Sequence, residues 1–330
     1  MSRRLTFALN AHGPSFERYA LLCVASIRHW CGAAVGIQIY EPSNLPPCSP
    51  QARAFFHRHG AEIRSFRNPF LPDRLTNLKQ VPARHLTYNK LFTLLDVEPG
   101  EQRVFLDADQ VLLGDPTEIL LGQQAPAGVV AADTPESFLG DWDQLYRDMG
   151  LIPTERRIPM WRTYSFGNQP EPPRIETHPY FCSGFVSVKA TSTLPRLWLS
   201  MTEDLERRID RLDLTYFVDQ ISLPLAAAAS EQPWDLLPVQ CSATPHVFRF
   251  IDRPLLFHYW DLDALAAQAA RTPALHAHLR EITGQLKRDV GLDLRFQLLT
   301  QWPRWGRRVK GLLKTRLQQI GLINRAEDRS

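Results

Sequence analysis

The sequence predicts an α/β fold with a mostly parallel, Rossmann-like central sheet and helices on both faces. Two observations carry this. Strand-like and helix-like stretches alternate through residues 5–66, and an apolar strand near residue 103 ends in the triplet Asp107-Ala108-Asp109. Alternation of this kind marks parallel strands joined by helical crossovers. Ligands of open α/β sheets sit just beyond the C-terminal ends of such strands.

Taken in order, residues 5–10 read as a buried strand running into the loop Ala11-His12-Gly13-Pro14. Residues 16–30 follow with a helical apolar pattern through Tyr19, Leu22, Cys23, Ser26, Ile27 and Trp30. Residues 35–40 form a second strand, stopped by Pro42 and the Pro46-Pro47 pair. A helix over 50–59 and a strand over 61–66 come next. A helix over about 83–96 carries Tyr88-Asn89-Lys90-Leu91-Phe92, and the strand 103–106 delivers the aspartates. Val129 to Ala132 is a further strand, running into Asp133. Residues 134–179 are proline-rich and polar, with one helix expected over 141–149, and read as a long irregular insertion, a lid or a binding surface or else partly disordered. Strand character returns over Tyr180 to Val188, a helix spans 194–211, and Phe248 to Tyr259 is extended. Residues 1–265 are expected to form the main domain and 266–330 a helical, basic C-terminal region.

The length of 330 residues suits one large domain with appended elements, and 44% hydrophobic with 22% charged residues allows a sizeable core. A net charge of +3 gives no reason to expect a nucleic-acid partner. The five cysteines share no Cys-x-x-Cys spacing, so neither a disulfide framework nor a zinc site is expected. Free thiols, with no signal-peptide core and no apolar run long enough to span a membrane, point to a cytoplasmic protein.

Two aspartates one residue apart at a strand end face the same way if the backbone stays extended. With no neighbouring Lys or Arg in the sequence to neutralise them, they suit Mn²⁺ or Mg²⁺, hard cations that can share a diphosphate with carboxylates. A solvated turn with coincidental aspartates is the plainer alternative. Lys90 by itself reads as a surface lysine. His258, in the apolar run 254–260, is either a core histidine or a metal ligand, with His246 as a substitute. Asp219 by itself reads as a helix N-cap, and Asp133 as a turn residue.

The run from Lys90-Leu91-Phe92 through Val104-Phe105-Leu106-Asp107-Ala108-Asp109 to Asp115 resembles glycosyltransferase family 8, which includes glycogenin and bacterial lipooligosaccharide galactosyltransferases. Tyr180 to Val188, with Ser183-Gly184 inside it, resembles that family's sugar-binding strand, although Cys182 stands where Asn is usual. Val218-Asp219-Gln220 resembles its Asp-Gln pair, and Phe257-His258 the late strand that supplies a third metal ligand. The family's glycine-rich motif after that histidine is replaced by Tyr259-Trp260-Asp261.

The resemblance covers roughly residues 5–260 and implies a GT-A (nucleotide-diphospho-sugar transferase) fold and a metal-dependent, retaining hexosyl transfer. The implied donor is a nucleotide sugar, with UDP the nucleotide, and the acceptor a glycan or lipid-linked hydroxyl. It also implies roles. Asp107, Asp109 and His258 would hold Mn²⁺ or Mg²⁺, and Lys90 would lie near the donor phosphates. Asn10 and Ala11 would line the base pocket with Phe16 or Tyr19 stacking. Ala108, Asp133, Ser183 and Gly184 would contact the donor, and Asp219 and Gln220 would act at the reacting sugar. Residues 302–325 are basic, carry Trp302 and Trp305 and contain no acid. They are expected either to pack on the domain or to lie on the inner face of an anionic membrane, which suits lipopolysaccharide biosynthesis.

Two rivals stand beside this. A haloacid dehalogenase-type phosphohydrolase also places Asp-x-Asp after an apolar strand, but its motif usually opens the domain and is followed by Gly-Thr. A non-catalytic sugar-binding relative would suit Cys182.

Overall fold

The protein is seen in a computed structural model that describes residues 4–73, 75, 81–131, 141–161, 173–209, 217–230 and 232–290. The chain divides into two compact units, Met1–Tyr259 and Trp260–Ser330.

The first unit is built on a seven-stranded sheet. In chain order its strands are β1 (Arg4–Asn10), β2 (Gly36–Pro42), β3 (Ala61–Phe66), β4 (Glu101–Leu106), β6 (Ala127–Val130), β9 (Phe181–Lys189) and β10 (Asp235–Leu236). They lie in the order β10-β6-β9-β4-β1-β2-β3. β1 pairs in parallel with β2 and β4, and β2 with β3, while β9 runs antiparallel between β4 and β6. The sheet is therefore mostly parallel, as expected.

The crossovers start where local chemistry allows. Helix α1 (Gly13–Cys31) opens with Pro14, whose missing N–H is no loss in a first turn, and closes at Gly32 with φ 61°. Helix α2 (Pro50–Arg58) is capped by Ser49, whose side chain accepts from Ala52 N at 3.2 Å. Every residue of β4 is buried, as a strand in mid-sheet requires. Its Arg103 is fully buried and donates to Glu101 at 2.8 Å, to Tyr40 Oη at 2.8 Å and to Asp96. On the β9 side the core is filled by Trp198, Phe181, Val186 and Ile221. Helices α7 (Leu194–Arg207) and α8 (Val218–Ala229) supply Trp198 and Ile221.

Several elements differ from the sequence expectation. The helix expected over 83–96 is broken into α3 (Ala83–Thr87) and α4 (Asn89–Phe92). One side chain takes a carbonyl that a continuous helix would use, and another holds two carbonyls of its last turn. Asn68 Nδ2 donates to His85 O at 3.0 Å, and Arg103 donates to Thr93 O at 3.0 Å and to Asp96 O at 3.2 Å. The insertion is not irregular throughout. It contains helix α6 (Trp142–Asp148), N-capped by Asp141, and an antiparallel hairpin of β7 (Ile158–Trp161) and β8 (Arg174–Thr177). Between Phe248 and Tyr259 the chain is not one extended run. A 3-10 turn occupies Phe248–Phe250, and only β11 (Leu256–His258) is strand, paired antiparallel with β5 (Gln110–Leu112). A short helix, α5 (Thr117–Gly122), follows β5.

In the second unit the described residues form α9 (Leu262–Ala269), capped by Asp261, and α10 (Pro273–Val290). The basic segment 302–325 lies outside the described residues.

Candidate active site

The polar residues singled out above gather where β4 ends. β4 pairs with β9 as far as Leu106↔Phe185, and Asp107 N then donates to Gly184 O at 2.9 Å. The chain turns through Ala108 and Asp109 into β5, which β11 joins with His258 opposite Gln110. Tyr259 N donates to Asp109 O at 3.1 Å, which sets the imidazole beside the turn. His258 Nε2 lies 3.3 Å from Asp109 Oδ1, and ligand atoms of Asp107, Asp109 and His258 all lie within 4.8 Å of one another.

Atoms each about 2.0–2.5 Å from one cation are at most about 5 Å apart, so the three can share an ion. Two carboxylates and an imidazole suit Mn²⁺, and Mg²⁺ less well because of the nitrogen. The aspartate side chains are 27% and 25% exposed, so the cluster opens on one side while His258 is buried. Burial raises the Asp107 carboxyl above its usual pKa, with Lys90 opposing and Asp109 adding to the rise. Burial would lower the His258 imidazole, but Asp109 outweighs it and holds its pKa well above the ordinary value.

The structure also corrects one expectation, because the aspartate pair does have a cationic neighbour. Lys90, carried on α4, is buried with Nζ 3.2 Å from Asp107 Oδ2, 3.0 Å from Asp219 Oδ2 and 3.0 Å from Ser183 Oγ. An ammonium has three donors, and these three oxygens match them. Burial would lower the Lys90 pKa, yet Asp107 and Asp219 together raise it above its usual range.

Asp219 is not an N-cap. Phe217 caps α8 in the left-handed region at φ 56°, and Asp219 sits inside the helix. Its carboxylate accepts from Ser183 Oγ and from Thr87 Oγ1, each at 2.8 Å. Burial would raise its pKa, but Lys90 and these hydroxyls hold it below the ordinary carboxylate range. Gln220 Nε2 donates to Tyr180 Oη at 2.8 Å, and Ser183 N donates to Gln220 Oε1 at 3.4 Å. Gly184 packs directly against the Asp107 side chain. A Cβ there would lie 2.9 Å from Asp107 Cγ and 3.2 Å from its Cβ.

Cys182 Sγ lies 3.6 Å from His258 Nδ1, so it contacts the histidine of the candidate metal cluster from the side away from Asp109. Asn10 and Ala11 close β1 at the same end of the sheet. Asn10 Oδ1 is buried without a hydrogen-bond partner, and Ala11 N donates to Tyr40 O at 3.1 Å. Tyr19 stacks on Tyr259 with ring centroids 6.0 Å apart, and Phe16 is 39% exposed beside His12. Asp133 lies outside the described residues. His246 is not part of the three-residue cluster.

Two residues of the site escaped the sequence reading. Gln110 donates to Gly184 O at 2.6 Å, tying the aspartate turn to β9. Thr87 reaches Asp219 from three positions before Lys90. That i, i+3 spacing on one helical face was the signal available for Thr87.

Residues 7–231 match the family described as Rhodobacterales glycosyltransferase domain. No curated protein sequence matches the chain. Among solved structures, an active-site mutant of LgtC is similar at 10% identity and TM-score 0.50, with 83% of this chain and 95% of that chain covered. The galactosyltransferase LgtC in complex with donor and acceptor sugar analogs is similar at 11% identity and TM-score 0.49, covering 78% of this chain and 87% of that one. The glycosyltransferase GlyE of Streptococcus pneumoniae TIGR4 gives 13% identity and TM-score 0.42 over 80% of this chain and 56% of that one. The GT-A fold seen in the sheet order is thus shared with LgtC. With two-thirds of its length matched, the chain belongs to the Rhodobacterales glycosyltransferase domain family and is a glycosyltransferase.

Proposed function

We propose that the protein moves a hexose from a nucleoside diphosphate sugar, with UDP the favoured nucleotide, to a hydroxyl of a glycan or lipid-linked acceptor, with retention at the anomeric carbon. The observation that carries this is the convergence of Asp107, Asp109 and His258 on one point at the end of β4. A divalent cation bound there would supply charge to stabilise the departing diphosphate.

The other roles belong to the chain's own side chains. Lys90 holds Asp107 and Asp219 in place and adds positive charge beside the cluster. Ser183 and Thr87 orient Asp219, which with Gln220 faces the reacting sugar. Cys182 supports His258 through Nδ1 in place of the sugar contact an Asn would make. Asn10 and Ala11 line the base pocket, and Ala108, Asp133, Ser183 and Gly184 complete the donor site. No second carboxylate is assigned as a nucleophile, so attack on the face the diphosphate leaves is the favoured course. Residues 134–179 border the acceptor, 1–265 act as the catalytic domain, and the basic stretch 302–325 holds a cytoplasmic enzyme to an anionic membrane surface. Among the described residues no helix is long and apolar enough to cross a membrane.

The test is nucleotide release from a panel of nucleotide sugars with Mn²⁺, for wild type and Asp109→Asn. Release from one donor, abolished by the substitution, is expected. Phosphate release from simple monoesters would point instead to a phosphohydrolase, and silence across the panel to a sugar-binding relative.

A further inference from the structure

A cavity of about 300 Å³ lies on the insertion side of the sheet, within the first unit. That is the volume of roughly ten liquid water molecules, and it falls at the small end of ligand pockets. Ten of its twelve lining residues are apolar, among them Val130, Met160, Trp161, Leu237, Val239 and Val247. Arg174 and Ser242 complete the lining. The Arg174 guanidinium lies 5.1 Å over the Trp161 ring and is solvent-exposed. Ser242 is buried, and its Oγ has no hydrogen-bond partner.

The cavity adjoins the active site through the backbone. Val130 pairs with Phe181, the residue before Cys182, and Ala131 N donates to Tyr180 O at 3.1 Å. Tyr180 Oη in turn accepts from Gln220. On the other wall Ser242 precedes Ala243, whose carbonyl accepts from His258 N at 2.8 Å.

A sugar ring is a poor occupant. Its C–H faces can stack on an aromatic ring, but the Trp161 ring already carries the Arg174 guanidinium. The hydroxyls around the sugar's edge need several placed donors and acceptors, because each unpaired buried hydroxyl opposes binding. Here the side chains offer one hydroxyl and one guanidinium. An apolar chain brings no hydroxyls of its own to be paired and leaves only the Ser242 hydroxyl without a partner, and the guanidinium matches a phosphate or carboxylate at its end.

We propose that this cavity binds the apolar, anion-bearing part of the acceptor: a medium-length alkyl or acyl chain, with its phosphate or carboxylate at Arg174. The assignment to the acceptor rests on the transferase reading above, whereas the ligand class rests on the cavity itself.

The test is calorimetric titration of n-octyl phosphate, below its micelle concentration, into the full-length protein. Inorganic phosphate serves as control, and UDP with Mn²⁺ is titrated into the same samples. Saturable binding of n-octyl phosphate is expected, at least tenfold tighter than inorganic phosphate. Val239→Asp, at a position 42% exposed and so tolerant of substitution, should weaken it at least tenfold. Arg174→Gln should weaken it at least threefold, and neither variant should alter UDP binding. Absence of saturable binding, undiminished binding by Val239→Asp, or equal affinity for inorganic phosphate would each overturn the proposal. Binding of n-octyl phosphate without any UDP binding would keep the ligand class and remove the nucleotide-sugar reading instead.

Discussion

Substituting Gly184 by alanine separates the two things the β4–β9 contact does. No positive φ is involved at this glycine, so the backbone tolerates a side chain. Replacing glycine within a strand should by itself stabilise by about 0.5–1 kcal/mol. The new methyl, however, would meet Asp107 Cγ at 2.9 Å and Asp107 Cβ at 3.2 Å, where ordinary contact begins near 3.4 Å. Overpacking of this kind costs about 1–3 kcal/mol. The net effect of Gly184→Ala is therefore a loss of roughly 0–2 kcal/mol, a fall of a few degrees in melting temperature. The functional effect should be larger, because the carboxylate that must yield belongs to the proposed metal cluster and is held by Lys90. Disturbing the support of a metal ligand typically costs about 10–100-fold in affinity. Manganese titration by calorimetry, with thermal unfolding on the same samples, measures both. Gly122→Ala is the control, since a methyl there meets nothing within 4 Å. Gly184→Ala protein that binds Mn²⁺ as tightly as wild type would refute the reasoning.

Other substitutions probe the neighbours. Cys182→Ala removes the sulfur 3.6 Å from His258 Nδ1 and should weaken Mn²⁺ binding by about tenfold with little change in melting temperature; unchanged affinity would leave the thiol without a role at the metal. Lys90→Met leaves the buried Asp219 carboxylate and the part-buried Asp107 uncompensated and should destabilise by about 3–5 kcal/mol. Adding Asp219→Asn should recover part of that loss in a double-mutant cycle, and strict additivity would argue against the ion pair. Glu206 accepts from Arg84 at 3.0 Å, Tyr88 at 2.6 Å and His85 at 2.7 Å. Burial would raise its pKa, but these partners lower it from 4.5 to about 2. Its contribution to stability is then complete above about pH 4.5 and lost as pH falls toward 2. Glu206→Gln should cost about 1.5–3 kcal/mol at pH 7, and denaturant unfolding should show the gap to wild type narrowing below about pH 4.5; a constant gap would refute the assignment.

The sequence by itself determined the α/β class, the order of the first strands and helices, and the identity of most of the residues that meet at the end of β4. These are local properties. Apolar periodicity, Pro14 and Ser49 at helix starts, and the spacing of Asp107 and Asp109 depend on neighbours in the chain. Only the tertiary structure decided what those residues touch. Lys90 turned out to be buried between Asp107 and Asp219, because α4, β4 and α8 meet there from three separate parts of the chain. The break at Tyr88 depended on Asn68, and the position of His258 on the pairing of β11 with a three-residue strand 146 residues earlier. Cys182, read from its type as a lost sugar contact, lies against His258 for the same reason. The β7–β8 hairpin that helps wall the cavity was hidden in a proline-rich stretch with no usable periodicity. Strand pairing across such separations is set by which faces can be buried together, and a chain read residue by residue does not carry that information.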